Sequence, residues 1–242
     1  MDSSDIESLE RATVAGVAPA KVLEIEGWLA ALDGGTIHRA KSAVPLSHTA
    51  GAEALSAIEA AYWTEGLQPA FRIPEAAGFE GVRDALAARG YAGVQPTLVK
   101  VGEPARLAAF RDQPGEVLDR PDAAWGTVFT GEGFDPEDGA SRVAALSRSP
   151  DALYGRVRED GRTVAVGVVT FGHGWAGIHG MRTAQDRRGR GLASQVLTAL
   201  GRAIVARGID RVFLQVEEAN PARSLYRKAG FTEAWVYRYW ER

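Results

Sequence analysis

The sequence predicts an α/β (α+β) fold: a mixed, mostly antiparallel sheet with one parallel strand–helix–strand crossover, laid down twice in tandem. Three observations predict it. Residues 154–184, YGRVREDGRTVAVGVVTFGHGWAGIHGMRTA, run apolar or alternate between two turn signals, Asp160-Gly161 and Gly172 to Gly174, which is the pattern of an antiparallel meander. Residues 191–207 then place Leu192, Val196, Leu200 and Ile204 at steps of four, one apolar stripe of a helix, and the run RVFLQV follows as a buried parallel strand. The same order of elements recurs about 140 positions earlier.

In chain order, GAEALSAIEAAY stands in the first half where GLASQVLTALGR stands in the second, PAFRIP resembles RVFLQV, and VRDALAARGYAG resembles ARSLYRKAGFTE. An internal duplication follows. A boundary is expected between Lys100 and Pro104, where the apolar TLVKV gives way to GEPARL, dividing the chain into units 1–103 and 104–242. The first unit is expected to be degenerate, structural or substrate-shaping: Ser47, His48 and Thr49 lie where the second has Arg187, Arg188 and Gly189, and Leu86 lies where it has Tyr226. In the second unit GEGFDPEDG, residues 131–139, gathers four acids before a helix over ASRVAALSR. The crossover helix is expected to end near Gly208; Asn220 to cap the next helix with Pro221 in its first turn; Gly230 to stop it; and WVYRYW to form the closing strand.

Composition narrows the classes of function. A hydrophobic content of 45% with 24% charged residues is ordinary for a soluble chain, and no apolar run approaches the roughly 20 residues that span a bilayer, so no membrane partner is expected. The acidic, polar start and the absence of cysteine set the expectation of a cytoplasmic protein without disulfides. Four histidines without cysteine offer no compact ligand spacing, so no metal is expected. A net charge of −3 and a pI near 5.9 provide no general attraction for a polyanion, which argues against nucleic acid. RNA binding through the arginines ranks last and would show itself by steep salt dependence.

The segment RRGRGLASQV, residues 187–196, leads into the crossover helix. A helix begins with amides that lack intrahelical acceptors and with a partial positive charge, so a glycine-rich entry can wrap an anion closely. Gly189 and Gly191 would bring the backbone near, and Arg188 and Arg190 would add charge-assisted hydrogen bonds to a diphosphate. A P-loop would need lysine and then Ser or Thr after the last glycine, where this chain has Leu192-Ala193. Taken alone, the loop reads equally as a basic turn capping a surface helix.

Its context resembles the GNAT acyltransferase superfamily. Arg188, Gly191 and Ala193 match the Arg-x-x-Gly-x-Gly/Ala loop between that superfamily's fourth strand and the following helix, and VFLQVEEANPARSLYRKAGF resembles its fifth strand, short helix and Leu-Tyr-x-x-x-Gly-Phe ending. The likeness covers roughly residues 140–240. It implies a GNAT-like fold, probably tandem, and acetyl-CoA as acetyl donor. The pyrophosphate would lie on the amides from Arg188 through Gly189, Arg190, Gly191, Leu192 and Ala193 to Ser194, and the pantetheine arm along the edge formed by Met181, Arg182 and Thr183. The superfamily has asparagine where this chain has Ala219, so Asn220 sits one position away and combines a candidate cofactor contact with capping.

Amide formation from a thioester needs a deprotonated amine, about 10.4 for a lysine-like group, and a thiolate, about 8.5, that is reprotonated as it leaves. By resemblance Tyr226 is the general acid, with packing beside Phe231 as its alternative. Two residues compete as base: His179, on the strand just upstream of the thioester, and Glu217, at the end of the fifth strand, each also readable as structural or solvated. Trp125, Tyr237 and Tyr239 are candidates for lining the acceptor pocket or for the core, and the acidic stretch 131–139 for attracting a cationic amine or for lying solvated. The expected activity is N-acetyltransfer to a small-molecule, peptide or protein amine by direct attack; the alternative is a non-catalytic acyl-CoA sensor. The expected state is a monomer or a homodimer.

Overall fold

In the computed structural model, which describes residues 1–242, the acidic start folds as helix α1 (Ser3–Val17), capped by the Asp2 carboxylate accepting from the Asp5 amide. The hairpin β1 (Lys21–Ile25) and β2 (Trp28–Leu32) follows, then a 3-10 turn (His38–Ala40), β3 (Ala43–Pro45), α2 (Leu55–Thr64), β4 (Phe71–Pro74), α3 (Glu80–Ala88) and β5 (Ala92–Gly102). The short elements α4 (Pro104–Ala108), β6 (Glu116–Leu118), α5 (Ala123–Thr130) and α6 (Pro136–Ser147) lead to the meander β7 (Ala152–Glu159), β8 (Arg162–Gly172) and β9 (Trp175–Thr183). The crossover helix α7 (Leu192–Ala206), β10 (Val212–Glu217), α8 (Arg223–Lys228) and β11 (Thr232–Glu241) complete the chain. No helix is long and apolar enough to cross a membrane.

Both meander turns have positive φ at two successive residues, Asp160-Gly161 and His173-Gly174, the twist that tight antiparallel connections require. The crossover is parallel as expected, β10 pairing with β9 through Val212 to Leu214. The first half repeats it: β3 and β4 are parallel and α2 connects them. One expectation is corrected. Asn220 does not cap α8, which starts only at Arg223; its amide closes a turn onto the Glu217 carbonyl and its side-chain oxygen accepts from the Ala222 amide, so Pro221 lies in that turn.

All strands join one eleven-stranded sheet in the order β1-β2-β3-β4-β11-β5-β10-β9-β8-β7-β6. The two units exchange their last strands. β5, which ends the first unit, lies between β10 and β11 of the second, and β11 reaches across to pair with β4 of the first. The sheet is therefore continuous across the boundary expected between Lys100 and Pro104. On the second unit α7 lays Val196, Leu200 and Ile204 onto Val164, Val169 and Leu214, each burial stabilising by roughly 1.5–3 kcal/mol. On the first, α2 and α3 close over Phe71 and Ile73, and Leu86 is wholly buried among them.

Candidate functional site

After Leu214 the strands β9 and β10 part. β10 keeps its pairing with β5 as far as Glu217, while β9 follows β8 to Thr183 through a bulge in which Gly180 and Met181 oppose Gly167. Gly180 takes φ +58°, and a Cβ there would stand 2.6 Å from Leu146, so a glycine both permits the bend and lets α6 approach. The result is a wedge between Met181–Thr183 and the end of β10, opening into a cleft of about 1080 Å³ with the start of α7 at its floor and α8 along one wall.

Gly189 and Gly191 both adopt φ +78°. The five successive amides of residues 189–193 have no acceptor in the protein. The Arg188 amide is spent on the Gln185 carbonyl and the Ser194 amide on the Gly191 carbonyl, so the open donor set is one residue shorter at each end than the sequence implied. The arginines also separate. Arg187 is held by Glu159 at 3.0 Å and by Asp186, whereas Arg188 has no acidic partner and lies over the Phe134 ring. Arg190 approaches Glu159 at 3.7 Å and lines a neighbouring hollow with Arg111 and Gln113, so that its amide, rather than its guanidinium, stands with the open donors. Arg111 and Lys228, which sequence reasoning missed, border the cleft. Lys228 lies inside a recognisable motif. Arg111 comes from an irregular segment with no pattern of its own.

A smaller cavity of about 190 Å³ lies on the other side of the wedge and shares Met181, Arg182, Glu217, Asn220 and Tyr226 with the cleft. Tyr226 is buried edge-on to Phe231, yet its hydroxyl has no hydrogen-bond partner in the protein; burial pushes the phenol up to about 12. Glu217 is exposed and accepts a 2.6 Å hydrogen bond from Gln95 Nε2, whose Oε1 faces His38 Nδ1 at 3.0 Å. Both partners belong to the first unit, and neither carried a signal in the sequence.

His179 is 3% exposed, with Nε2 at 3.2 Å from Thr170 Oγ1 and Nδ1 without a partner. Burial first, and the charge of Arg39 second, push it down to about 3. A conjugate acid that strong holds a proton too poorly to take one from an amine near 10.4, so the geometry makes His179 a neutral wall of the cavity. Arg182 turns its guanidinium over Phe129 and Phe134 and donates to the Phe129 carbonyl, leaving only its backbone for the strand edge.

Of the three candidate pocket aromatics, only Tyr239 lines the cavity. Trp125 is wholly buried with Nε1 donating to the Gly155 carbonyl, and Tyr237 is buried with its hydroxyl donating to Gln215 Oε1; both are core, because each finds its polar partner inside. Two of the four acids of residues 131–139 are engaged, Asp135 capping α6 and Asp138 accepting from Arg142, while Glu132 and Glu137 are exposed. In the first unit His48, at the position that corresponds in sequence to Arg188, packs its ring edge-on to Phe79 and Trp235.

Residues 3–240 match the family described as "Probable histone acetyltransferase Rv0428c C-terminal". The chain is 27% identical over 241 residues to the uncharacterized N-acetyltransferase YobR of Bacillus subtilis (strain 168), covering 94% of this chain and 95% of that protein. It is 31% identical over 188 residues to mycothiol acetyltransferase of Clavibacter michiganensis subsp. michiganensis, covering 72% of this chain and 59% of that one. Among solved structures, a GCN5-related N-acetyltransferase from Kribbella flavida shares the fold at a TM-score of 0.72 and 18% identity, covering 98% and 95% of the two chains. A tandem GNAT protein from the clavulanic acid biosynthesis pathway does so at 0.62 and 11%, covering 99% and 94%.

Proposed function

The chain belongs to the Rv0428c C-terminal acetyltransferase family, among the GNAT N-acetyltransferases, and on that premise we propose that it moves an acetyl group from acetyl-CoA to a primary amine by direct attack. Five consecutive amides at the mouth of a fifteen-residue helix carry this reading, since they are successive backbone donors that nothing in the protein satisfies. The pyrophosphate binds there, with Arg188, Arg111 and Lys228 as the cations bordering the cleft that have no acidic partner. The pantetheine arm then adds to the free edge at Met181 and Thr183 as a short strand, which carries the thioester to the residues common to cleft and cavity.

The amine enters from the smaller cavity. Glu217, steadied by Gln95, takes its proton directly or through one water as the nitrogen attacks the thioester carbon, and a backbone N–H at Met181 stabilises the oxyanion. The C–N bond forms and the C–S bond breaks. Tyr226, fully protonated at neutral pH, gives its proton to the departing sulfur and regains one from solvent. With no cysteine in the chain, no thiol is available to carry the acetyl group in between.

Titration calorimetry with CoA tests this. Gly191→Val puts a branched side chain at positive φ beside Arg111 and is expected to weaken CoA binding at least about tenfold. Absence of CoA binding by the unaltered protein, or equal affinity in the variant, overturns the proposal.

A further inference from the structure

The smaller cavity has a charge pattern that a general amine site does not need. Its walls carry three arginines, Arg39, Arg142 and Arg182, against one carboxylate, Glu217, which stands at the junction with the cleft. Arg142 is clamped on Asp138 through Nε, and Arg182 donates to the Phe129 carbonyl with Asp138 at 3.9 Å. Arg39 is different. It is half-buried, its Nε is buried without a hydrogen-bond partner, and no carboxylate stands within ion-pairing reach; Glu10, whose field it feels, is taken by Arg72 at 2.9 Å. Arg39 lines this cavity and not the cleft, so its charge faces the side from which the acceptor enters. Beside it His179, almost wholly buried, lines the same cavity with Nδ1 unpartnered. Buried polar atoms left unpaired are costly, so Arg39 Nε and His179 Nδ1 both lack a partner of matching chemistry.

The rest of the cavity limits the size of that partner. About 190 Å³ is the room of roughly six waters at about 30 Å³ each, and the walls around Arg39 include the apolar Val17, Ile37 and Leu146. Resting on acetyl transfer as proposed above, we propose that the acceptor is a small amine that also carries a carboxylate, held through that carboxylate by Arg39 while its nitrogen lies at Glu217. A planar guanidinium matches a carboxylate bidentately, and the charge of Arg39, with no acid paired to it, opposes a lysine-rich chain. Arg39 lies in the first unit, which thereby selects the substrate on which the second unit acts.

The test uses the full chain with saturating acetyl-CoA and follows release of free CoA thiol. The acceptors are L-α-amino acids and ω-amino acids, their carboxamides, aminoalkyl phosphates and a lysine-rich peptide. Aminocarboxylates are expected to exceed their carboxamides in kcat/KM by about tenfold or more, as for loss of a charged hydrogen-bonding partner. Arg39→Gln is expected to collapse that ratio towards one through KM, and Arg39→Lys to keep part of it. Equal or better turnover of the carboxamides, the phosphates or the peptide overturns the inference, as does a preference that survives in Arg39→Gln. Should no amine be turned over, calorimetric titration of the aminocarboxylates into the CoA-saturated protein decides, and no binding overturns it. Failure to bind CoA at all strikes instead at the acetyl-transfer proposal.

Discussion

Tyr226 combines a packed ring with a free hydroxyl, and burial keeps that hydroxyl protonated up to about 12. Replacing it with phenylalanine preserves the packing against Phe231 and removes only the proton. Tyr226→Phe is therefore expected to lower kcat about 100-fold while the calorimetric affinity for acetyl-CoA stays within about twofold. His179 gives a prediction of a different kind. Its folded pKa, about 3, lies below the unfolded value near 6.5, so below pH 6.5 the unfolded chain takes up a proton that the folded chain refuses. Stability is present above pH 6.5 and drains away as pH falls towards 3, by ~5 kcal/mol at most for such a shift. Urea denaturation across that window should show a shallower acid loss in His179→Gln than in the unaltered protein.

Helix α7 shows how an element can serve stability and chemistry together. Its buried stripe fixes it to the sheet, and the five open amides of residues 189–193 stand at its entry, where Gly189, Gly191, Leu192 and Ala193 line the cleft. On the opposite side it meets α4 so closely that a Cβ on Gly201 would stand 2.5 Å from Leu107 Cβ and 2.6 Å from the Ala108 amide nitrogen. Neither neighbour is a flexible chain end. Gly201→Val is expected to push the helices apart, costing about 1–3 kcal/mol and lowering Tm by several degrees in calorimetry. Because the helix is displaced as a body, CoA affinity should fall too, although residue 201 is remote from the loop.

The molecule as a whole is interlocked by its exchanged strands. A fragment of residues 104–242 would lack β5, leaving β10 and β11 with unpaired edges and Phe213, Tyr237 and Tyr239 without Val99. Expressed alone it is expected to aggregate, and to become soluble and bind CoA when coexpressed with residues 1–103; a monomeric, active 104–242 fragment in gel filtration would contradict this. The first unit also braces the sheet with the buried Glu10–Arg72 pair beneath Tyr237. Glu10→Ala leaves that guanidinium buried and alone, an expected loss of about 3–5 kcal/mol measurable by denaturation.

The meander, the crossover, the glycine-rich entry to α7 and the short helix that carries Tyr226 were legible in the sequence because each is written locally: an apolar period, a turn residue, a spacing within a few positions. So was the duplication, since repeated elements keep their order even when their chemistry has gone. Tertiary structure alone decided which of the three arginines at 187, 188 and 190 has no acidic partner, that His179 is sealed beside Arg39, and that Arg39, Gln95 and Arg111 reach the site from far along the chain. Pairing, burial and strand exchange depend on what the fold brings alongside a residue, and the residue's own neighbours in sequence carry no record of it.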